Sequence, residues 1–243
     1  MESPKQNVPA HLPRFATITL AALVVLFTSL ALQAVAQVRI MPLGDSLTSS
    51  LNAQVSYRYY LWQKLQAKGY QVDFVGTLWG VGSGVSASID FDQNHEGHLG
   101  ASTAGIAYGI GDWASATQPD IVLLLIGAND LEQGFPISDT VTNVGRIIEE
   151  LRTVNPNVAV VVGTLPPIAG LEAIERAYNS ALARHAGRWS KPNSPVRLAN
   201  LWSGYSPRVD TSDGEHPNDS GEEKIANHFY SPLRSLLARF KAR

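Results

Sequence analysis

The sequence predicts an α/β fold, a parallel sheet covered by helices on both faces. Two observations carry this. Residues 121–126 (Ile-Val-Leu-Leu-Leu-Ile) and 158–162 are apolar at every position, as strands buried on both faces must be. Segments with helical spacing lie between the apolar runs, and alternating strand and helix patterns imply parallel pairing through crossovers.

The elements follow in order. Residues 38–41 read as a first buried strand. Residues 57–68 read as an amphipathic helix, with Leu61, Trp62 and Leu65 on one side and Gly69 as its stop. Residues 72–75 form a short strand, and 77–93, rich in Gly and Ser, a surface loop. Residues 101–114 read as a helix despite Gly105, Gly109 and Gly111. After the strand at 121–126, residues 138–153 carry Val141, Val144, Ile147, Ile148 and Leu151 at helical spacing. The strand at 158–162, a helix at 171–186 and a strand at 196–201 follow. Ser220-Gly221-Glu222-Glu223 reads as a capping box opening a last helix toward Leu237. In such a sheet the ligand site is expected at the carboxyl ends of the strands.

Residues 1–36 have the layout of a cleavable secretory signal. Lys5, His11 and Arg14 precede an apolar stretch at 16–32, and Ala34-Val35-Ala36 is a small-x-small site before Gln37. The apolar run is short for a spanning helix. A secreted, extracellular protein is therefore expected, with no stable membrane association after cleavage and one catalytic domain at 37–243. The 243-residue chain has a net charge of −2, which gives no basic footprint for nucleic acid. It has no cysteine, so neither disulfides nor thiol chemistry are available to it.

Four segments carry candidate chemistry. Gly44-Asp45-Ser46, just past the first strand, lifts one hydroxyl from a turn and leaves the Ser46 amide free to meet negative charge. Asp213-Gly214-Glu215-His216-Pro217-Asn218 places a carboxylate three residues before an imidazole, the pairing that orients a general base for a serine nucleophile. Asn129, directly after the strongest strand, is placed to donate its side-chain amide to an oxyanion, and Gly100 to present its backbone amide. Asp45 is expected to fix its own turn by bonding backbone amides. Each segment also suits an ordinary turn; together they suit a serine hydrolase. The Gly-x-Ser-x-Gly elbow is absent. His95-Glu96-Gly97-His98 lacks the His-Glu-x-x-His spacing of a zinc site, so no metal is expected, and His95 and His98 are taken as substrate-binding residues lining the cleft. Gly80-Val81-Gly82-Ser83-Gly84 has the wrong spacing for a dinucleotide. Trp79 is a candidate platform for a sugar ring, whereas Trp62 and Trp113 read as packing. The sequon at Asn218-Asp219-Ser220 is expected to stay empty, since a glycan there would crowd His216.

With these blocks in view, the chain resembles the GDSL (SGNH) hydrolase superfamily, whose Ser, Gly, Asn and His match Ser46, Gly100, Asn129 and His216. More narrowly it resembles carbohydrate esterase family 3, the acetylxylan esterases. That match rests on Met41-Pro42-Leu43-Gly44-Asp45-Ser46, Tyr57-Arg58, Leu61-Trp62, Val72-Asp73-Phe74-Val75-Gly76, His95-Glu96-Gly97-His98, Pro119-Asp120-Ile121-Val122-Leu123-Leu124 and Asp213-Gly214-Glu215-His216-Pro217-Asn218. The resemblance implies a three-layer α/β/α sandwich on a flavodoxin-like five-stranded parallel sheet, and neither metal nor organic cofactor. It implies catalysis by Ser46, Asp213 and His216, with an oxyanion hole of Ser46, Gly100 and Asn129. It also implies an acetylated polysaccharide or small acetyl ester as substrate and a monomeric enzyme. Two departures stand out. Leu99-Gly100-Ala101 replaces the usual Ser-Gly-Trp, and Ala128 stands where many members have Thr. The glycine is kept, but a Trp near the expected pocket is lost, which leaves substrate preference open. A lipase, aryl esterase or other acetylesterase is the alternative within the chemistry. A carbohydrate-binding inactive homologue is the alternative outside it.

Overall fold

The computed structural model describes residue 1 and residues 37–51, 55–82 and 90–240. Residues 2–36, which hold the expected signal segment, and part of the glycine-rich loop therefore lie outside the described residues. Among the described residues seven strands form the sheet: β1 (Val38–Gly44), β2 (Val72–Phe74), β3 (Leu78–Trp79), β4 (Asn94–Gly97), β5 (Ile121–Leu125), β6 (Ala159–Gly163) and β7 (Val196–Ala199). β1 is central. One edge pairs with β5 from Ile40 to Gly44. The other edge is shared in sequence, by β2 against Val38–Ile40 and then by β4 against Leu43 and Gly44. β6 and β7 extend the sheet beyond β5, again in parallel. The sheet is thus five parallel positions wide, with one position split between β2 and β4. β3 adds a short antiparallel partner to β4.

The split explains a proline inside a central strand. The Val38 N–H and the Ile40 carbonyl bond toward the β2 side, and the Gly44 carbonyl accepts from His98 past β4. Pro42 shares the side of these even-numbered residues. Its missing N–H falls at the join between β2 and β4, where no ladder bond is lost.

The helices are α1 (Ser46–Ser49), α2 (Tyr57–Ala67), α3 (Thr103–Thr117), α4 (Ala128–Glu132), α5 (Ile137–Val154), α6 (Glu172–Trp189), α7 (Pro207–Asp210) and α8 (Asp219–Leu237). α2 packs against α8 on one face of the sheet; α3, α5 and α6 pack in sequence over the other. The α5 stripe of Val141, Val144, Ile147, Ile148 and Leu151 is buried as its spacing predicts, and β5 and β6 are buried at every position. Ser56 and Ser102 cap α2 and α3 by accepting from Arg58 N–H (3.0 Å) and Gly105 N–H (3.2 Å).

Three expectations change. β1 runs three residues beyond Met41, through Pro42 to Gly44, which brings the strand end right up to the Gly-Asp-Ser turn. β3 and β4 arise where the sequence suggests only a polar loop, because Asn94-His95-Glu96-Gly97 pairs through its backbone and shows no apolar alternation. The capping box at Ser220 is not used. Asn218 caps α8 instead, accepting from the Ser220 and Gly221 amides, while the Ser220 hydroxyl bonds Asp210 Oδ1 at 2.9 Å.

Candidate active site

Ser46 opens α1 directly past the end of β1. The approach is tight: a Cβ on Gly44 would lie 2.0 Å from the Leu125 carbonyl oxygen, so only glycine lets the ends of β1 and β5 meet there. Asp45 caps the turn by accepting from Leu47 N–H at 3.0 Å, as expected. The Ser46 amide, in the first turn of a helix, has no intrahelical acceptor.

The imidazole comes from the loop between α7 and α8. Thr211 and Pro217 bridge across this loop, and Ser212 N–H donates to the His216 carbonyl at 2.9 Å. Asp213 Oδ1 gathers the amides of Glu215 (3.0 Å) and His216 (2.7 Å), while Oδ2 lies 2.9 Å from His216 Nδ1. The same carboxylate therefore folds the loop and orients the ring. His216 Nε2 then faces Ser46 Oγ at 3.0 Å. Burial works against the Asp213 charge, but hydrogen bonds from the His216 amide, its ring and the Glu215 amide outweigh it. The carboxyl is held down to about 2 and is ionised at neutral pH. A hydroxyl, an imidazole and a carboxylate in this chain can deprotonate the hydroxyl and stabilise the resulting imidazolium.

The two remaining oxyanion candidates are tied to each other. Asn129 Nδ2 donates to the Ala101 carbonyl at 3.2 Å. Next door, Asp130 accepts from the Thr103 amide (2.8 Å) and hydroxyl (2.6 Å), stapling α4 to the start of α3. Gly100 sits between His98 and Ala101 in a turn closed by Ala101 N–H to the His98 carbonyl (3.1 Å), with φ of +71°. Nothing surrounds the position a Cβ would take. Glycine is favoured there by the left-handed backbone.

Beneath the turn lies a buried polar layer. The Arg58 guanidinium, fully buried, donates to the carbonyls of Thr48 (3.1 Å), Ser49 (3.3 Å), Gly80 (2.6 Å) and Gln93 (2.7 Å). Burial lowers its pKa to about 10. Glu222 of α8 accepts from the Ser50 hydroxyl (2.8 Å) and the Tyr57 amide (2.7 Å), and burial pushes its carboxyl up to about 8. Burial likewise raises Asp45 to about 7.

The histidine expectations divide. His95 is a correction: it is 2% exposed within β4, a strand buried on both faces there, and its Nδ1 accepts from Gly97 N–H at 3.0 Å. Burial, with Arg58 and His98 adding to it, depresses its pKa to about 2, so the ring stays neutral and does not line a cleft. His98 is partly exposed, paired with buried Glu96 (2.8 Å) and stacked on Trp113 with ring centroids 4.0 Å apart. Trp113 packs against the core as well as on this ring, and Trp62 packs edge-on against Phe74. Trp79 is half exposed. The Asn218 amide is occupied, capping α8 with Oδ1 and donating from Nδ2 to the Val209 (2.9 Å) and Thr211 (3.2 Å) carbonyls. Sequence reasoning missed Arg58, Asp130 and Glu222 as organisers of the site; Arg58 and Glu222 each open a helix, where a charge reads as ordinary surface.

The GDSL-like Lipase/Acylhydrolase family matches residues 43–224. A multidomain esterase of Ruminococcus flavefaciens is 29% identical over 224 residues, 82% of this chain, and the chain spans 29% of that relative's length. Among solved structures, a carbohydrate esterase family 3 protein from Talaromyces cellulolyticus aligns with a TM-score of 0.76 at 29% identity, covering 84% of this chain and 99% of its own. A family 3 carbohydrate esterase of Clostridium thermocellum aligns at 0.73 and 30% identity, covering 84% and 98%. This chain belongs to the GDSL-like lipase/acylhydrolase family, and within it is related to the family 3 carbohydrate esterases.

Proposed function

We propose that this protein is a serine carboxylic-ester hydrolase that releases acetate from acetylated plant cell-wall polysaccharide, acetylxylan foremost. The observation that carries the reading is the 3.0 Å contact of Ser46 Oγ with His216 Nε2, backed by Asp213 at 2.9 Å. His216 takes the Ser46 proton as Oγ bonds the ester carbonyl carbon. The oxyanion is met by the Ser46 and Gly100 amides and the Asn129 side chain. His216 returns the proton to the leaving sugar oxygen as its bond to the acyl carbon breaks. Water, deprotonated by the same imidazole, then attacks the acyl-Ser46 ester. Acetate leaves, and the proton returns to Ser46. The acetylated substrate class is supported by the kinship with family 3 carbohydrate esterases. Residues 1–36 are proposed to direct export.

Acetate release from acetylated xylan, measured beside hydrolysis of an aryl acetate and labelling by a fluorophosphonate, tests the reading. Wild type is expected to score on all three and Ser46→Ala on none. A Ser46→Ala protein that cleaves the aryl acetate at the parental rate overturns it. A wild type that takes no label supports a sugar-binding homologue without chemistry.

A further inference from the structure

A second carboxylate approaches the imidazole from the side where chemistry takes place. Asp213 holds Nδ1, but Glu215 Oε1 lies 3.8 Å from Nε2, the nitrogen that faces Ser46 Oγ. The Glu215 side chain is 22% exposed, and the Glu132 carboxyl at the end of α4 neighbours it. Glu215 thus stands between the loop carrying His216 and the helix carrying Asn129.

At 3.8 Å the carboxylate and Nε2 do not bond each other directly. The gap instead suits two adjacent oxygens of a bound molecule. One is the leaving oxygen, which takes the proton from Nε2. The other is a neighbouring hydroxyl, which donates to Glu215 Oε1. Oxygens on adjacent carbons of a pyranose ring present that pair; the alcohol of an aryl ester does not. We propose that Glu215 is a specificity-determining residue that binds the free hydroxyl vicinal to the ester, so that the site favours sugar units acetylated on one oxygen of a vicinal diol. The inference rests on the esterase reading above and adds to it the pattern of acetylation the site selects. A partly buried carboxyl is suited to the task, because it is left without that partner when the hydroxyl is missing. A site built around such a bond rejects the analogue that lacks the hydroxyl.

The test uses three esters: a methyl pentopyranoside with one acetate beside a free hydroxyl, the same compound deoxygenated at that hydroxyl, and 4-nitrophenyl acetate. For wild type, kcat/KM is expected to fall on the order of tenfold on deoxygenation. For Glu215→Ala, the ratio of the hydroxylated sugar ester to the aryl acetate is expected to fall by a similar factor, and deoxygenation is expected to cost it nothing further. A wild type indifferent to deoxygenation overturns the proposal, and this arm holds even if the variant fails to fold. Equal losses by Glu215→Ala on all three esters overturn it too, since that is the mark of a structural role. A wild type that cleaves the aryl acetate but neither sugar ester also overturns it. Failure on the aryl acetate itself removes the esterase reading beneath it.

Discussion

Asn129, the proposed side-chain oxyanion donor, is also a strut bonded to the Ala101 carbonyl beside Gly100. Asn129→Ala is expected to lower kcat on an aryl acetate on the order of 100-fold with a much smaller change in KM, because the lost bond forms chiefly in the transition state. Steady-state kinetics check this. Gly100→Ala should act through the backbone instead. With φ at +71°, a Cβ is strained by about 1 kcal/mol, so a lower melting temperature should accompany its loss of turnover. Ser46 and Asn129 were legible because each sits in a turn that follows an apolar run, and Asp213 and His216 because they form a carboxylate–imidazole pair three apart; Gly100, at the end of a polar segment, carries no such mark. His95 was not legible. A polar residue in an unrecognised strand gives no clue to its burial, and this one is buried.

At the scale of elements, the site depends on segments that carry no chemistry. Arg58, in the first turn of α2, ties four carbonyls from α1 and from both ends of the glycine-rich segment. Arg58→Met removes the donors and leaves those carbonyls facing an apolar chain. An unfolding free-energy loss of about 3 kcal/mol is expected, seen as a drop in melting temperature of about 10 °C. The helices and two-faced strands were legible because burial imposes their period on the sequence. β3, β4 and α4 were not. Their residues are chosen to hold neighbours in place, as Glu96 holds Thr77 and His98, and such polar pairings leave no periodic trace. The choice of Asn218 over Ser220 as the α8 cap was hidden for a related reason, since Asp210 claims the Ser220 hydroxyl from another helix.

Across the whole molecule, buried acids set how stability responds to pH. Burial raises Asp45 and Glu175 to about 7 and Glu222 to about 8, against ordinary values of 3.8 for Asp and 4.5 for Glu. The folded protein therefore binds protons that the unfolded chain has released. Their contribution is full below about pH 4 and is lost as pH rises through 7 and 8. Asp213 works in the opposite sense, stabilising above its ordinary value and losing that as pH falls through about 2. Denaturant titrations between pH 5 and about pH 9 should show unfolding free energy declining. Glu222→Gln, which mimics the neutral acid, should flatten the decline. The long-range bond from Glu222 to Ser50 also pins α8 to the turn that bears the nucleophile. Ser46 and His216 are 170 residues apart in sequence, and the imidazole follows every strand of the sheet. A polypeptide made only as far as β7 carries its hydroxyl without a proton acceptor. Ester cleavage is thereby withheld until the loop before α8 has been made, and its onset would time the closing of the fold.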